Sequence, residues 1–124
     1  MTRPDFAWLS AVELQILYAR GEASPVDVLD TFLARAAALQ PHLNALVLID
    51  EAAARVAAKE SEARWRNKAP LSVFDGVPTT IKDTTPVRGW PTRVGSHATD
   101  ETPAAESAPV VERLQAAGMI VFGK

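Results

Sequence analysis

The chain has 124 residues, 48% hydrophobic and 23% charged, which is typical of one globular domain with a sizeable core. Its 13 Lys and Arg against 15 Asp and Glu give a net charge of -2 with no basic block, so we expect no nucleic-acid partner. It lacks cysteine, which excludes disulfides, thiolate metal sites and cysteine nucleophiles and fits a reducing compartment such as the cytoplasm.

The N-terminal third predicts two capped helices. No basic stretch followed by an apolar run opens the chain, so we expect neither a signal peptide nor a membrane span. Ser10 with Glu13 three residues later forms a capping-box pattern. A second helix begins after Ser24, with Pro25 at its first position and apolar residues at helical spacing. We expect Pro41 to end this helix.

Strand and helix patterns alternate through the rest of the chain. Residues 44–50, NALVLID, predict a short buried strand, and the Ala-, Glu- and Arg-rich segment after them predicts a third helix. A second strand is expected over residues 78–83, and a third over residues 119–122 after a helix capped by Ser107. This order predicts an α/β fold with a largely parallel sheet.

The segment between residues 83 and 109 shows no sustained period, and it is rich in proline. A long segment of this kind is often functional or covered by other parts of a protein. The three strands would also form only part of a doubly wound sheet, so we expect the fold to be incomplete in this chain.

Lys82 is the first candidate for chemistry, because it stands beside Ile81 in a segment predicted to enter the core. A lysine that is buried and neutral can act as a general base towards a serine hydroxyl. The alternative is a surface lysine at a strand end, paired with Asp83 or simply solvated. The residue pattern alone favours this alternative.

Other candidate residues give weaker signals. His42 and His97 lack a second ligand at metal-binding spacing, so no metal site is expected. The glycines lack phosphate-loop spacing, and no cofactor is expected. Ser96 could be a nucleophile, although the role of a loop or capping hydroxyl is favoured.

Two motifs and a following helix and strand resemble the amidase signature family. Its Gly-x-Pro-x-x-x-Lys-Asp motif falls on Gly76, Pro78, Lys82 and Asp83. Its Gly-x-x-Thr-x-x-Gly-Ser motif falls on Gly89, Thr92, Gly95 and Ser96. Residues 108–124 resemble the helix and the strand ending in Gly-Lys that come next in the family.

The resemblance implies the N-terminal part of the amidase signature fold, a mixed and largely parallel sheet between helical layers. Residues 1–124 would be the N-terminal segment of a single amidase domain, helical over residues 1–42 and entering the α/β core over residues 43–124. It also implies a Ser–cis-Ser–Lys triad with Lys82 as the base. Both serines would follow the Gly-Lys strand, so the 124-residue chain alone is expected to be inactive.

Three functions stay open. The first is an amidase that hydrolyses a non-peptide carboxylic amide through an acyl-enzyme. Its partners would be a small-molecule amide and the remainder of the polypeptide, and a homo-oligomer is one option. The second is the amidase subunit of a glutamyl- or aspartyl-tRNA amidotransferase. The third is an inactive remnant that serves as an interaction module, with Lys82 a relic.

Overall fold

The computed structural model describes residues 5–124, and in that range it forms helices around a short parallel sheet. A turn of 3-10 helix precedes the first α-helix. The elements are the 3-10 helix Phe6–Trp8, α1 Ala11–Arg20, α2 Pro25–Leu43, α3 Glu51–Arg66, β1 Pro78–Thr80, α4 Pro109–Ala116 and β2 Ile120–Gly123. No helix in this range is both long enough and apolar enough to cross a bilayer.

The predicted caps open α1 and α2. The Ser10 hydroxyl accepts the backbone N–H of Glu13, and the Glu13 carboxylate accepts the backbone N–H of Ser10, which completes the capping box. At the second helix the Ser24 hydroxyl accepts the backbone N–H of Asp27 at 3.1 Å. Local sequence therefore determines where both helices begin.

Two predicted helix ends lie elsewhere. Pro41 does not stop α2, which runs on and ends at Asn44 in a left-handed conformation with φ of 45°. The ring of Pro41 removes one donor near the helix end, where few further bonds depend on it. Ser107 does not cap α4, because its hydroxyl accepts the backbone N–H of Arg88 and the helix starts after Ala108 without a side-chain cap.

The predicted strand over residues 44–50 is wrong for most of its length. The segment forms a single antiparallel bridge, between Ile49 and Gly123. It runs along β2, and the backbone N–H of Asp50 donates to the carbonyl of Phe122 at 3.0 Å. Its apolar side chains stay partly or largely exposed, so it lacks the burial that the prediction assumed.

The sheet within residues 5–124 consists of β1 and β2, which pair in parallel as the sequence predicts. Side chains of β2 alternate between two covered faces. Ile120 and Phe122 pack with Leu29 of α2 and Ala58 of α3, while Val121 packs on the face covered by α4. Burial on both faces explains the unbroken apolar run of this strand.

The turn before β1 is tied to α3 by a buried carboxylate. Asp75 is fully buried, and its side chain accepts two hydrogen bonds from the Arg64 guanidinium, each 2.7 Å long, and one from the backbone N–H of Leu71. The Tyr18 hydroxyl donates to the carbonyl of Gly76. Burial alone would raise the pKa of Asp75, but the hydrogen bonds from Arg64 and Leu71 hold it below its usual range.

Candidate functional site

The carboxyl ends of β1 and β2 lie side by side, because the two strands are parallel. The backbone N–H of Ile81 donates to the carbonyl of Gly123 at 3.0 Å. Lys82 follows Ile81 directly, and Lys124 follows Gly123 directly. Two lysines therefore stand at the same edge of the sheet, and this edge is where α/β sheets bind their ligands.

Lys82 points away from the core. Ile81 before it is buried in the apolar group that contains Val111 of α4, whereas Lys82 is exposed. A turn follows at once, since the backbone N–H of Thr85 donates to the carbonyl of Lys82 at 2.9 Å. Among residues 5–124 the Lys82 ammonium has no hydrogen-bond or ion-pair partner. In this chain the surface alternative therefore holds, and the ammonium is free to contact other groups.

The lysine inside the molecule is Lys124, which the sequence reasoning missed. Its side chain is fully buried. Its ammonium donates to Asp83 Oδ1, the carbonyl of Pro91 and Thr92 Oγ1, each at 3.2 Å. An ammonium has three N–H donors, so each donor has an acceptor. A lysine that directly follows a buried parallel strand is the signal that could have found it.

The backbone of Lys124 is held as firmly as its side chain. Its N–H donates to the carbonyl of Leu48 at 2.9 Å, and its carbonyl accepts the N–H of Val47 at 2.7 Å. Gly123 permits this close approach, because a Cβ there would lie 2.5 Å from the Leu48 oxygen. Residues 47–48 therefore support the buried lysine from outside the sheet.

Asp83 connects the two lysine positions. It pairs with Lys124, so the predicted pair with Lys82 does not form. Its carboxylate also accepts the backbone N–H of Arg93, and its carbonyl accepts that of Val94. Burial alone would raise the pKa of Asp83, but the Arg93 N–H and the Lys124 ammonium keep it below its usual range. The carboxylate therefore stays charged at neutral pH.

The long segment after Lys82 is folded on itself. The N–H of Gly89 donates to the carbonyl of Ala104, and the N–H of Ala104 donates to the carbonyl of Trp90. The Arg93 guanidinium pairs with Glu101 at 2.7 Å. The aperiodic sequence thus forms an ordered loop, whose hydrogen bonds join residues too far apart for a local pattern to reveal.

Ser96 and the histidines lie apart from these contacts. The Ser96 hydroxyl accepts the backbone N–H of Ala98 at 3.1 Å, which is the loop role that the sequence favours. His42 lies in the last turn of α2 and is exposed, as is His97. Within residues 5–124 no three potential His, Cys, Asp or Glu ligands are close enough to hold a metal ion.

A cavity of about 330 Å³ opens beside Lys124. Asp83, Arg93 and Glu101 contribute its charged wall, and Val47 and Leu48 its apolar wall. The carboxyl edge of the sheet thus presents the exposed Lys82 ammonium next to a rigid and charged frame.

Comparison with known proteins assigns this arrangement to a family. The family model described as Amidase matches residues 27–124, most of the chain. The chain belongs to the amidase signature family. The resemblance seen in the two motifs is therefore confirmed, and the motifs lie at the carboxyl edge and in the ordered loop of an amidase signature chain.

Curated relatives of this amidase signature chain carry two kinds of name. The amidase-type subunit of the glutamyl-tRNA(Gln) amidotransferase of Salinispora tropica is 35% identical over 120 residues, which are 97% of this chain and 24% of that protein. An acylamidase of Rhodococcus erythropolis is 35% identical over 124 residues, which are 100% of this chain and 26% of that protein. The chain thus spans about a quarter of the length of these relatives.

Solved structures agree with this assignment. A peptide amidase from Stenotrophomonas maltophilia superposes with a TM-score of 0.88 at 28% identity, over 96% of this chain and 25% of that protein. A crystal structure of an amidase gives a TM-score of 0.83 at 36% identity, over 94% of this chain and 26% of that protein. The amidase signature chain therefore has part of the amidase signature fold, as the sequence predicts.

Proposed function

We propose that the full-length protein hydrolyses a non-peptide carboxylic amide through a Ser–cis-Ser–Lys triad, with Lys82 as the base. Residues 1–124 would be the N-terminal segment of a single amidase domain, helical over residues 1–42 and part of the α/β core from residue 43. The observation that carries this proposal is the Lys82 ammonium, exposed and unpaired within residues 5–124, at the carboxyl edge of the sheet.

The chemistry needs groups from the remaining polypeptide. Lys82 in its neutral form would take a proton from the bridging serine, which takes one from the nucleophilic serine. The nucleophile's oxygen then bonds to the amide carbonyl carbon, and the C–N bond breaks as the amine leaves with a proton. Water hydrolyses the acyl-enzyme and restores the serine. Covering the sheet edge would remove water from Lys82 and favour the neutral amine.

The test is amide turnover by the full-length protein and its Lys82→Ala variant, measured as ammonia release from a panel of simple amides. We expect the variant to lose about a thousandfold or more of kcat, because the base has no substitute among the neighbouring side chains. Lys59→Ala is the matched control, since Lys59 is an exposed lysine on α3. Near-normal turnover by Lys82→Ala would refute the mechanism.

A second candidate is the amidase component of a tRNA-dependent amidotransferase. The 35% identity to such a component from Salinispora tropica supports it. The same ammonia assay separates the two candidates, because an amidotransferase component would require glutamine and would co-purify with a second protein. Turnover of several unrelated amides by the isolated protein would favour the stand-alone amidase. The third candidate, an inactive interaction module, requires that the full-length protein show no turnover at all.

A further inference from the structure

The position of Lys82 depends on its neighbours, because its own side chain is tied to nothing in the described part of the chain. Two anchors flank it. The backbone of Ile81 is bonded to Gly123, and the side chain of Asp83 is bonded to Lys124. The place of the Lys82 backbone is therefore set from the end of β2 on both sides.

The Lys124 ammonium joins two separate segments to β2. Asp83 belongs to the turn that begins at Lys82, and Pro91 and Thr92 belong to the ordered loop. Removing an ammonium from water is costly, and the cost is offset here by one carboxylate and two neutral oxygens with defined geometry. An apolar side chain could fill the space, but it could not hold the two segments together.

Asp83 passes this constraint on to the loop. Its carboxylate binds both Lys124 and the backbone N–H of Arg93, and its carbonyl binds the N–H of Val94. Asp83 and Lys82 are consecutive residues, so a shift of the Asp83 side chain moves the point from which the Lys82 side chain extends.

We propose that Lys124, held by the Thr92 hydroxyl and the Asp83 carboxylate, is a positioning residue that fixes where Lys82 enters the active site. This inference rests on the proposed role of Lys82 as the base. It assigns Lys124 and Thr92 an effect on the rate of proton transfer, although neither residue touches the substrate. Binding of the amide would change little.

The first test uses Thr92→Val in the full-length protein, a nearly isosteric change that leaves one Lys124 N–H without its acceptor. We expect kcat for ammonia release to fall about tenfold or more, with KM within about threefold of wild type, because small displacements of a catalytic group are costly. Thr92→Ser should restore most of kcat. Thr31→Val, which removes a hydroxyl bonded to the α2 carbonyl of Asp27, should keep wild-type kcat.

The second test uses Lys124→Met and follows kcat against pH. Loss of the buried cation leaves Asp83 with Lys82 as its nearest cationic side chain in sequence, and a neighbouring carboxylate favours the charged amine. The acid limb of the kcat profile should therefore move to higher pH. A purely structural Lys124 would lower the melting temperature and leave the limb in place.

The outcomes separate this inference from the proposed function. If Lys82→Ala is inactive while Thr92→Val keeps wild-type kcat and pH profile, the positioning role is refuted and the mechanism stands. If Lys82→Ala keeps its turnover, both proposals fail. If Lys124→Met does not fold, the comparison of Thr92→Val with Thr92→Ser still decides.

Discussion

At the scale of single residues, two lysines at the ends of neighbouring strands have opposite surroundings. Lys82 follows a buried residue at the end of β1 and points outward, as alternation requires. Lys124 follows β2 directly, yet the ordered loop supplies oxygens that offset the cost of its burial. The sequence could identify Lys82 through the family motif. It could not identify Lys124, because the acceptors come from residues more than 30 positions away.

Asp75 offers a test of stability at the same scale. Asp75→Asn should lower the free energy of unfolding by about 3 kcal/mol, because the fully buried carboxylate is the partner of Arg64. Glu62→Gln is the control, since Glu62 pairs with the largely exposed Arg66 and its loss should change little. Urea unfolding of the full-length protein measures both. Equal stabilities for the two variants would contradict the structural role of Asp75.

The same carboxylate predicts how stability depends on pH. The pKa of Asp75 is lower in the folded state than its usual value near 4, so its contribution is present above about pH 4 and disappears as pH falls through the folded pKa. Unfolding free energy of the wild type should therefore decline below about pH 4. Asp75→Asn should show a shallower decline, and identical slopes would contradict the shift.

At the scale of elements, local signals predicted the helices well and the strands less well. The caps and spacing that define α1 and α2 lie within a few residues, so the sequence contains them. The burial of residues 44–50 depends on what packs against them, and here one antiparallel bridge is all that forms. The order within the loop after Lys82 rests in the same way on distant partners such as Ala104.

Gly123→Ala tests the contact between β2 and residues 47–48. The added Cβ would lie 2.5 Å from the Leu48 oxygen, so the backbone must shift and stability should fall by roughly 1–3 kcal/mol. Amide hydrogen exchange should quicken at Val47 and Lys124, whose N–H groups make the local bonds. Gly21→Ala places the same methyl in open space and should leave those two amides unchanged. Unchanged exchange in Gly123→Ala would contradict the close approach.

At the scale of the whole molecule, the chain spans about a quarter of its relatives' length and carries one member of the proposed triad. The sheet edge that holds Lys82 is open within residues 5–124. An apolar groove of about 420 Å³ also lies between α2 and β1, with Leu43 at 63% exposure. Both surfaces fit a chain whose site is completed by further polypeptide. The cytoplasmic location, the amide substrate and a homo-oligomeric state stay predictions.

The central claim is that this chain supplies the base for acylation of a serine elsewhere in the protein. The most direct measurement is the intact mass of the full-length protein, its Lys82→Ala variant and the 124-residue chain after mixing with an activated amide. We predict an added acyl mass on the wild-type protein alone. An acyl adduct that forms at the wild-type rate in Lys82→Ala, or any adduct on a serine of the 124-residue chain, would contradict the account.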